Sequence, residues 1–228
     1  MALVCALTVI GIQIWITPAL QKAGEENVAL RVGEIATDIR DQLNGVQTQS
    51  RSITQLVAQL PSEQIDAQLP ALIDQYGNGM VFGGGIWPLP DKREAGRAKF
   101  STFFHRDASN ALIPNTYWNS AEAPNYFDQP WHKAGQQAPR GVCAWAAAYK
   151  DGASQQPRTN CAMGIYQDGA LYGVSTIDVT LGFFNDLVAK KEQEIGGQVM
   201  IIEADGKILS RNARLTGDVV LGNLSAHA

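Results

Sequence analysis

The run Asn125-Tyr126-Phe127-Asp128-Gln129-Pro130-Trp131-His132 holds the side chains of this sequence best suited to gripping a small molecule. Such a site needs apolar walls and a few convergent polar groups. Trp118, Tyr126, Trp131 and Tyr149 can supply the walls. Gln129 and His132 can donate hydrogen bonds, and Asp151 and Asp178 can accept them from amines or hydroxyls. A protonated amine would also gain cation–π attraction from Trp or Tyr faces. Each aromatic taken alone is more often core packing, and Asp151 could simply cap a turn with Gly152. Asp178 differs, because it lies in the apolar run Tyr172 to Val179, where an unpaired carboxylate is costly. If it points inward it needs a partner, and a ligand is a natural one.

No pattern suggests catalysis. There is no Gly-x-Ser-x-Gly elbow and no Ser/His/Asp arrangement. His105-Arg106-Asp107 echoes a kinase catalytic-loop tripeptide without the glycine loop, lysine strand or downstream Asn. The triple glycine Gly83 to Gly85 lacks the Lys-Ser/Thr of a phosphate loop. Three histidines with no i,i+3 or i,i+4 pair argue against a metal site, and no cofactor motif is present. The net charge of -4, with acids and bases interspersed and no basic stripe, argues against nucleic acid as a partner. Of the three cysteines, Cys5 lies in an apolar run. Cys143 and Cys161 flank a Gly/Ser/Gln/Pro-rich turn, so they could meet as a disulfide if their segments pair as antiparallel strands, or remain two core thiols.

These residues must be positioned by the elements around them. Met1 to Gln21 carries no charge, and a helix of about 21 residues rises roughly 31 Å, enough to cross a membrane. A cleaved signal peptide would want a basic n-region, which is missing, so an uncleaved transmembrane helix over 1–21 is expected. From Lys22 to Leu60, apolar residues at three- and four-residue steps (Val28, Val32, Ile35, Ile39, Leu43, Val46, then Ile53, Leu56, Val57 and Leu60) predict a long helix. Some 39 helical residues would span nearly 60 Å, more than a small domain can bury, so a dimerising stalk over 22–60 is expected. Ser62 can cap a following helix through Leu72.

Beyond Tyr76-Gly77-Asn78-Gly79 the pattern becomes strand-like: Met80 to Trp87, Phe100 to Phe104, Ala111 to Trp118, Val142 to Tyr149, Asn160 to Tyr166 and Ala170 to Val179. Asp168-Gly169 is a hairpin signal between the last two. A short helix opens at Pro130, and Leu181 to Glu194 is amphipathic and ends at Gly196-Gly197. Gln198 to Ile202 and Lys207 to Ser210 then predict a further hairpin. The fold class is therefore α+β, a long N-terminal helix followed by an antiparallel sheet lobe and the start of a second, smaller lobe. The expected parts are the anchor 1–21, the stalk 22–60, the first lobe 61–195 and the second lobe 196–228, cut short at Ala228.

Five segments in order resemble the double Cache (PAS-like) extracytoplasmic sensor domains of bacterial transmembrane receptors. They are Gly84-Gly85-Ile86-Trp87-Pro88, Phe103-Phe104-His105-Arg106-Asp107, Tyr126 to His132 (similar to an aromatic Y-x-x-R-P-W-Y box), Trp145 to Asp151 (W-x-x-x-Y-x-D) and Gly173 to Leu181 (G-V-x-x-x-D-x-x-L). The resemblance covers about residues 22 to 210. It implies a membrane-distal PAS-like lobe binding a small molecule, a homodimer through the stalk, an inner-membrane location with the sensor outside the cytoplasm, and no catalysis by these residues. It also implies an output module beyond this chain, such as a chemotaxis signalling helix, histidine kinase, diguanylate cyclase or phosphatase. In amino-acid-binding members the Arg of the box helps hold the ligand carboxylate and the acid matching Asp178 holds the amine. Here Gln129 and His132 replace that Arg and the final Tyr, so the bidentate carboxylate clamp is lost. An organic acid, an amine or an amino-acid derivative all remain open as ligands. The rival readings are a ligand-free dimerisation module and a periplasmic enzyme, the latter lacking a nucleophile–base pair.

Overall fold

The computed structural model describes residues 12–150, 156–211 and 219–226. The chain divides into two units, 1–43 and 44–228. Most of the expected membrane helix falls outside the described residues; among those described, no helix is long and apolar enough to cross a membrane. A π-helical turn, Ile12–Ile16, leads into helix α1, Thr17–Val57, which continues through Gly45 without a break. In the first unit this helix leaves Leu20, Val28, Leu30 and Val32 exposed. Its charged faces carry the pairs Lys22–Glu26 and Arg31–Glu34, at 3.9 and 3.2 Å.

In the second unit the last turns of α1 are core. Val46, Ile53 and Val57 are buried against one face of a sheet. Helix α2, Ser62–Asp74, joins them through Ile65, Leu69 and Ile73, a stripe at four-residue spacing. Ser62 does not cap this helix. Pro61 holds the cap position, and the Ser62 hydroxyl instead accepts from Arg93 Nε at 2.8 Å. At the other end Gln75 turns left-handed, and the buried Arg106 closes the terminus. Its guanidinium donates to the Asp74 carboxylate and carbonyl, and to the carbonyls of Val81, Asn78 and Asn110, at 2.8–3.3 Å.

The sheet comprises β1 (Val81–Pro88), β2 (Thr102–Arg106), β3 (Leu112–Pro114), β4 (Ala144–Trp145), β5 (Arg158–Gln167) and β6 (Ala170–Thr180), all antiparallel, in the order β3-β2-β1-β6-β5-β4. Asp168 and Gly169 both take positive φ, which suits the tight β5–β6 hairpin. Helices α3 (Pro130–Gln137) and α4 (Gly182–Ile195) complete the elements.

Two expected strands are shorter than their patterns. Ala111 to Trp118 pairs only at Leu112–Pro114, because a 3-10 turn, Tyr117–Asn119, takes over and Asn119 Oδ1 binds the backbone and hydroxyl of Ser101. Val142 to Tyr149 pairs as a ladder only at Ala144–Trp145, with a further bridge from Tyr149 to Arg158. The segment is held otherwise: Cys143 and Cys161 form a disulfide, and the Cys143 N–H donates to Gln47 Oε1 at 2.9 Å.

The expected final hairpin is present as isolated bridges, Ile202 to Ile208 and Lys207 to Asn223, rather than as strands. It packs on the first lobe, where Glu203 accepts from the Ala148 N–H at 2.8 Å and Ile208 is fully buried. Residues 44–228 form one compact unit.

Candidate functional site

Alternation along the strands divides the side chains between the two faces. Ile86, Ile177, Val179, Cys161, Met163 and Ile165 point towards α1 and α2. The opposite face is organised by register into three rows. The first runs His105, Gly83, Asp178, Asn160; the second Phe103, Gly85, Thr176, Ala162; the third Trp87, Val174, Gly164. A Cβ on Gly83 would lie 2.4 Å from the Phe104 carbonyl oxygen, and one on Gly85 would lie 2.2 Å from that of Thr102. Glycine is therefore required for β1 and β2 to approach, and it leaves the middle of this face bare of side chains. Helix α3 presses on the third row at Gly135, where a Cβ would lie 2.7 Å from Val174 Cγ1.

Trp87 is the hub of the aromatic cluster. Its ring centroid lies 5.0 Å from Trp131, 5.2 Å from Phe103, 5.5 Å from Tyr126 and 5.8 Å from Trp118. Trp118 and Trp131 are only partly buried, so both retain accessible surface. Gln129 is also half-buried, at the entry to α3, with its amide 3.4 Å from the Asn125 carbonyl.

Tyr126 and His132 are fully buried and bonded within the framework. The Tyr126 hydroxyl donates to the Pro88 carbonyl at 2.9 Å and accepts from the Phe100 N–H at 3.2 Å, and the residue is fully buried. His132, also fully buried, places Nε2 2.9 Å from the Trp87 carbonyl and Nδ1 2.8 Å from the Gln136 amide. A carbonyl only accepts, so Nε2 carries the proton and Nδ1 accepts. Burial lowers the pKa of this imidazole and favours the neutral ring. The donor role expected of His132 is thus already taken by the backbone.

Asp178 does point inward and is 5% exposed. The Tyr149 and Thr176 hydroxyls favour its charged form, against the larger effect of burial. Trp87 Nε1 donates to Thr176 Oγ1 at 2.9 Å, and Asn160 Nδ2 donates to the Tyr149 hydroxyl at 3.2 Å. Trp87, Thr176, Asp178 and Asn160 share this face, and the two hydrogen bonds flank the buried acid. Burial, partly offset by Arg158, pushes Asp178 up to about 6. Burial and then the Asp178 charge push Tyr149 up to about 12, so it remains a hydroxyl donor.

Sequence reasoning missed Arg158, which opens β5 and is 3% exposed. Its guanidinium lies 4.3 Å over the Phe82 ring and 5.4 Å from that of Tyr149, with Nε 3.7 Å from Asp178 Oδ2. Asn160 and His105 were not expected in the site either. Asn160 Oδ1 and His105 Nδ1 are buried atoms without a hydrogen-bond partner among the described residues. Burial, with Arg158 adding to it, lowers the pKa of His105. Asp151 lies outside the described residues. A cleft of about 250 Å³ opens between α1 and the end of α2, lined by Gly45, Thr48, Gln49, Leu72 and Gln75 among others. The Gln49 amide there already donates to the Leu72 and Ile73 carbonyls, and no ionisable group lines the cleft.

Among the described residues no His, Cys, Asp or Glu cluster could hold a metal ion. The face instead combines partly open aromatic walls with a buried polar floor, which is the composition of a small-molecule site.

Solved structures share the fold. A methyl-accepting chemotaxis protein X superposes with a TM-score of 0.72 at 15% identity, over 90% of this chain and 79% of that one. The ligand-binding domain of the Campylobacter jejuni chemoreceptor Tlp3, in complex with L-valine, gives 0.62 at 15% identity, over 85% and 73%. That of the Pseudomonas aeruginosa PAO1 amino acid chemoreceptor PctC, in complex with GABA, gives 0.60 at 18% identity, over 89% and 80%. No curated protein sequence matches the chain. A family model described as methyl-accepting chemotaxis protein-like, first PDC sensor domain, matches residues 72–186, half of the chain and all six strands of the sheet, and the chain belongs to that family.

Proposed function

We propose that residues 61–195 form the membrane-distal, ligand-binding lobe of a transmembrane receptor's extracytoplasmic sensor, taking a small metabolite on the sheet face that carries Trp118, Trp131, Tyr149 and Asp178. The observation that carries this reading is the strand register that sets Trp87, Thr176, Asp178 and Asn160 on one face, with Trp87 bonded to Thr176 and Asn160 to Tyr149, so the aromatic cluster and the buried acid face the same side. Gln129, half-buried at the start of α3, would add an amide contact. Domains of the same fold hold small metabolites, L-valine in one case and GABA in another.

In this reading the chain is anchored in the bacterial inner membrane by its N-terminal segment, and the exposed Leu20, Val28, Leu30 and Val32 of α1 pair with a second copy. Ligand biases a two-state equilibrium by no more than its differential affinity for the two states, and an output module beyond this chain reads the result. These residues bind and do not catalyse.

A thermal-shift screen of amino acids, organic acids, amines and purines tests the proposal, since a bound ligand raises the melting temperature by mass action. At least one compound should do so, and Asp178→Ala and Trp131→Ala should each abolish the rise while remaining folded. Stabilisation that persists in both variants, or that no compound produces, rejects the site.

A further inference from the structure

We propose that Arg158 is the specificity-determining residue of this site: its guanidinium fills the place of a ligand ammonium, so the lobe takes an uncharged small molecule that donates a hydrogen bond to Asn160. This rests on the ligand-binding reading above and narrows it to a chemical class.

A protonated amine is recognised by aromatic faces and a carboxylate. Those groups are assembled here, and a cation of the chain itself stands among them. The guanidinium carbon is 4.3 Å from the Phe82 ring centroid and 5.4 Å from that of Tyr149, and Nε is 3.7 Å from Asp178 Oδ2. Both charged side chains are more than nine-tenths buried, at 4% and 7% exposure. A ligand ammonium would have to displace the guanidinium or share its carboxylate within a desolvated site, where like charges repel strongly.

A ligand carboxylate meets the mirror-image difficulty. The acid already stands beside Arg158, and Gln129 offers the rim no charge. His105, the other ionisable group on the first row, is half-buried, and burial and Arg158 both favour its neutral form. Among the described residues the floor is therefore balanced in charge.

What remains is hydrogen-bonding capacity. Asn160 donates through Nδ2 to Tyr149, while its Oδ1 is buried without a partner among the described residues, in a residue 2% exposed. A buried acceptor left unmatched costs on the order of 1–3 kcal/mol. A ligand N–H or O–H removes that cost without adding charge. His105 Nδ1, on the same row beyond bare Gly83, offers a second contact to a molecule spanning the face. Planar amides, nucleobases and polyols have this chemistry.

The test is thermal shift followed by calorimetric titration of the full chain at pH 8, with two probe sets. The uncharged set is nicotinamide, uracil, adenine and myo-inositol; the ammonium set is L-isoleucine, GABA, ethanolamine and putrescine. Wild type should bind at least one uncharged probe and no ammonium probe, and Asn160→Leu should lose the uncharged one. Arg158→Ala, which vacates the cation position beside Asp178, should bind at least one ammonium probe about tenfold or more tightly than wild type does. Methylguanidinium should raise its melting temperature and not that of wild type. Arg158→Gln serves if the alanine variant does not fold. Binding of an ammonium probe to wild type that Asp178→Ala abolishes would overturn the inference and leave the ligand-binding reading intact. Failure of both folded Arg158 variants to gain any ammonium probe would also overturn it. If no probe of either set binds wild type or the Arg158 variants, the inference falls and the reading beneath it loses its support.

Discussion

Neutralising Asp178 should flatten one part of the protein's stability profile, and the sign and size follow from the site. In the unfolded chain this carboxyl titrates near its ordinary 3.8, and in the folded chain burial raises it to about 6. Between those values the native state holds a proton that the unfolded state has released, so the native state binds more protons and stability falls as pH rises. The attraction of Arg158 opposes this and is already contained in the net shift. At 1.36 kcal/mol per pH unit, a shift of about two units amounts to roughly 3 kcal/mol. Asp178→Asn keeps the shape but cannot titrate. It also leaves Arg158 without this carboxylate, an offset that is nearly constant with pH. Urea denaturation of both proteins at intervals from about pH 3.5 to 7 isolates the slope, because the titrations common to both cancel. Relative to the variant, wild type should lose roughly 3 kcal/mol across that interval and then level off. A difference that stays flat, or that grows in favour of wild type as pH rises, would refute the claim that desolvation dominates at this acid.

Three further outcomes follow from the framework. Arg106→Met removes the buried guanidinium that closes α2 on five acceptors, and should lower the unfolding free energy by about 3 kcal/mol or more in urea titrations. Tyr126→Phe strands the Phe100 N–H and the Pro88 carbonyl, and should cost roughly 2 kcal/mol of stability while ligand-induced shifts in melting temperature persist. Opening the Cys143–Cys161 disulfide, which closes a separation of 18 residues, should cost about 3 kcal/mol, read as a lower melting temperature in reductant that Cys143→Ser reproduces.

The sequence made some of this legible and hid the rest for identifiable reasons. Long apolar periodicity exposed α1 and α2, and Asp168-Gly169 exposed the β5–β6 hairpin, because both signals are local. The facing of Asp178 was legible too, since a carboxylate inside an apolar strand demands an explanation. Its partner was not. From a two-residue hairpin with Gln167 opposite Ala170, uninterrupted pairing would set Thr159 against Asp178. A bulge between Ile165 and Tyr166 shifts the register by one, so Asn160 stands there instead and Arg158 and Asn160 share the face of the acid. No residue type announces that bulge. The functions of Tyr126 and His132 were hidden for a different reason. Whether a polar aromatic faces a ligand or a backbone carbonyl depends on Pro88 and Trp87, some forty positions away.

The sheet's margins bear on how this lobe can associate. The outermost strands are β3, of three residues, and β4, of two, while the inner β5 and β6 run to ten and eleven. Long unpaired edges invite another chain to add a strand, and very short ones deny it a template. At one margin the cystine staples the short strand to its long neighbour, so the cover cannot easily peel away. Crowded arrays of such lobes are thereby protected from zipping together edge to edge, and self-association is steered away from backbone pairing towards side-chain surfaces.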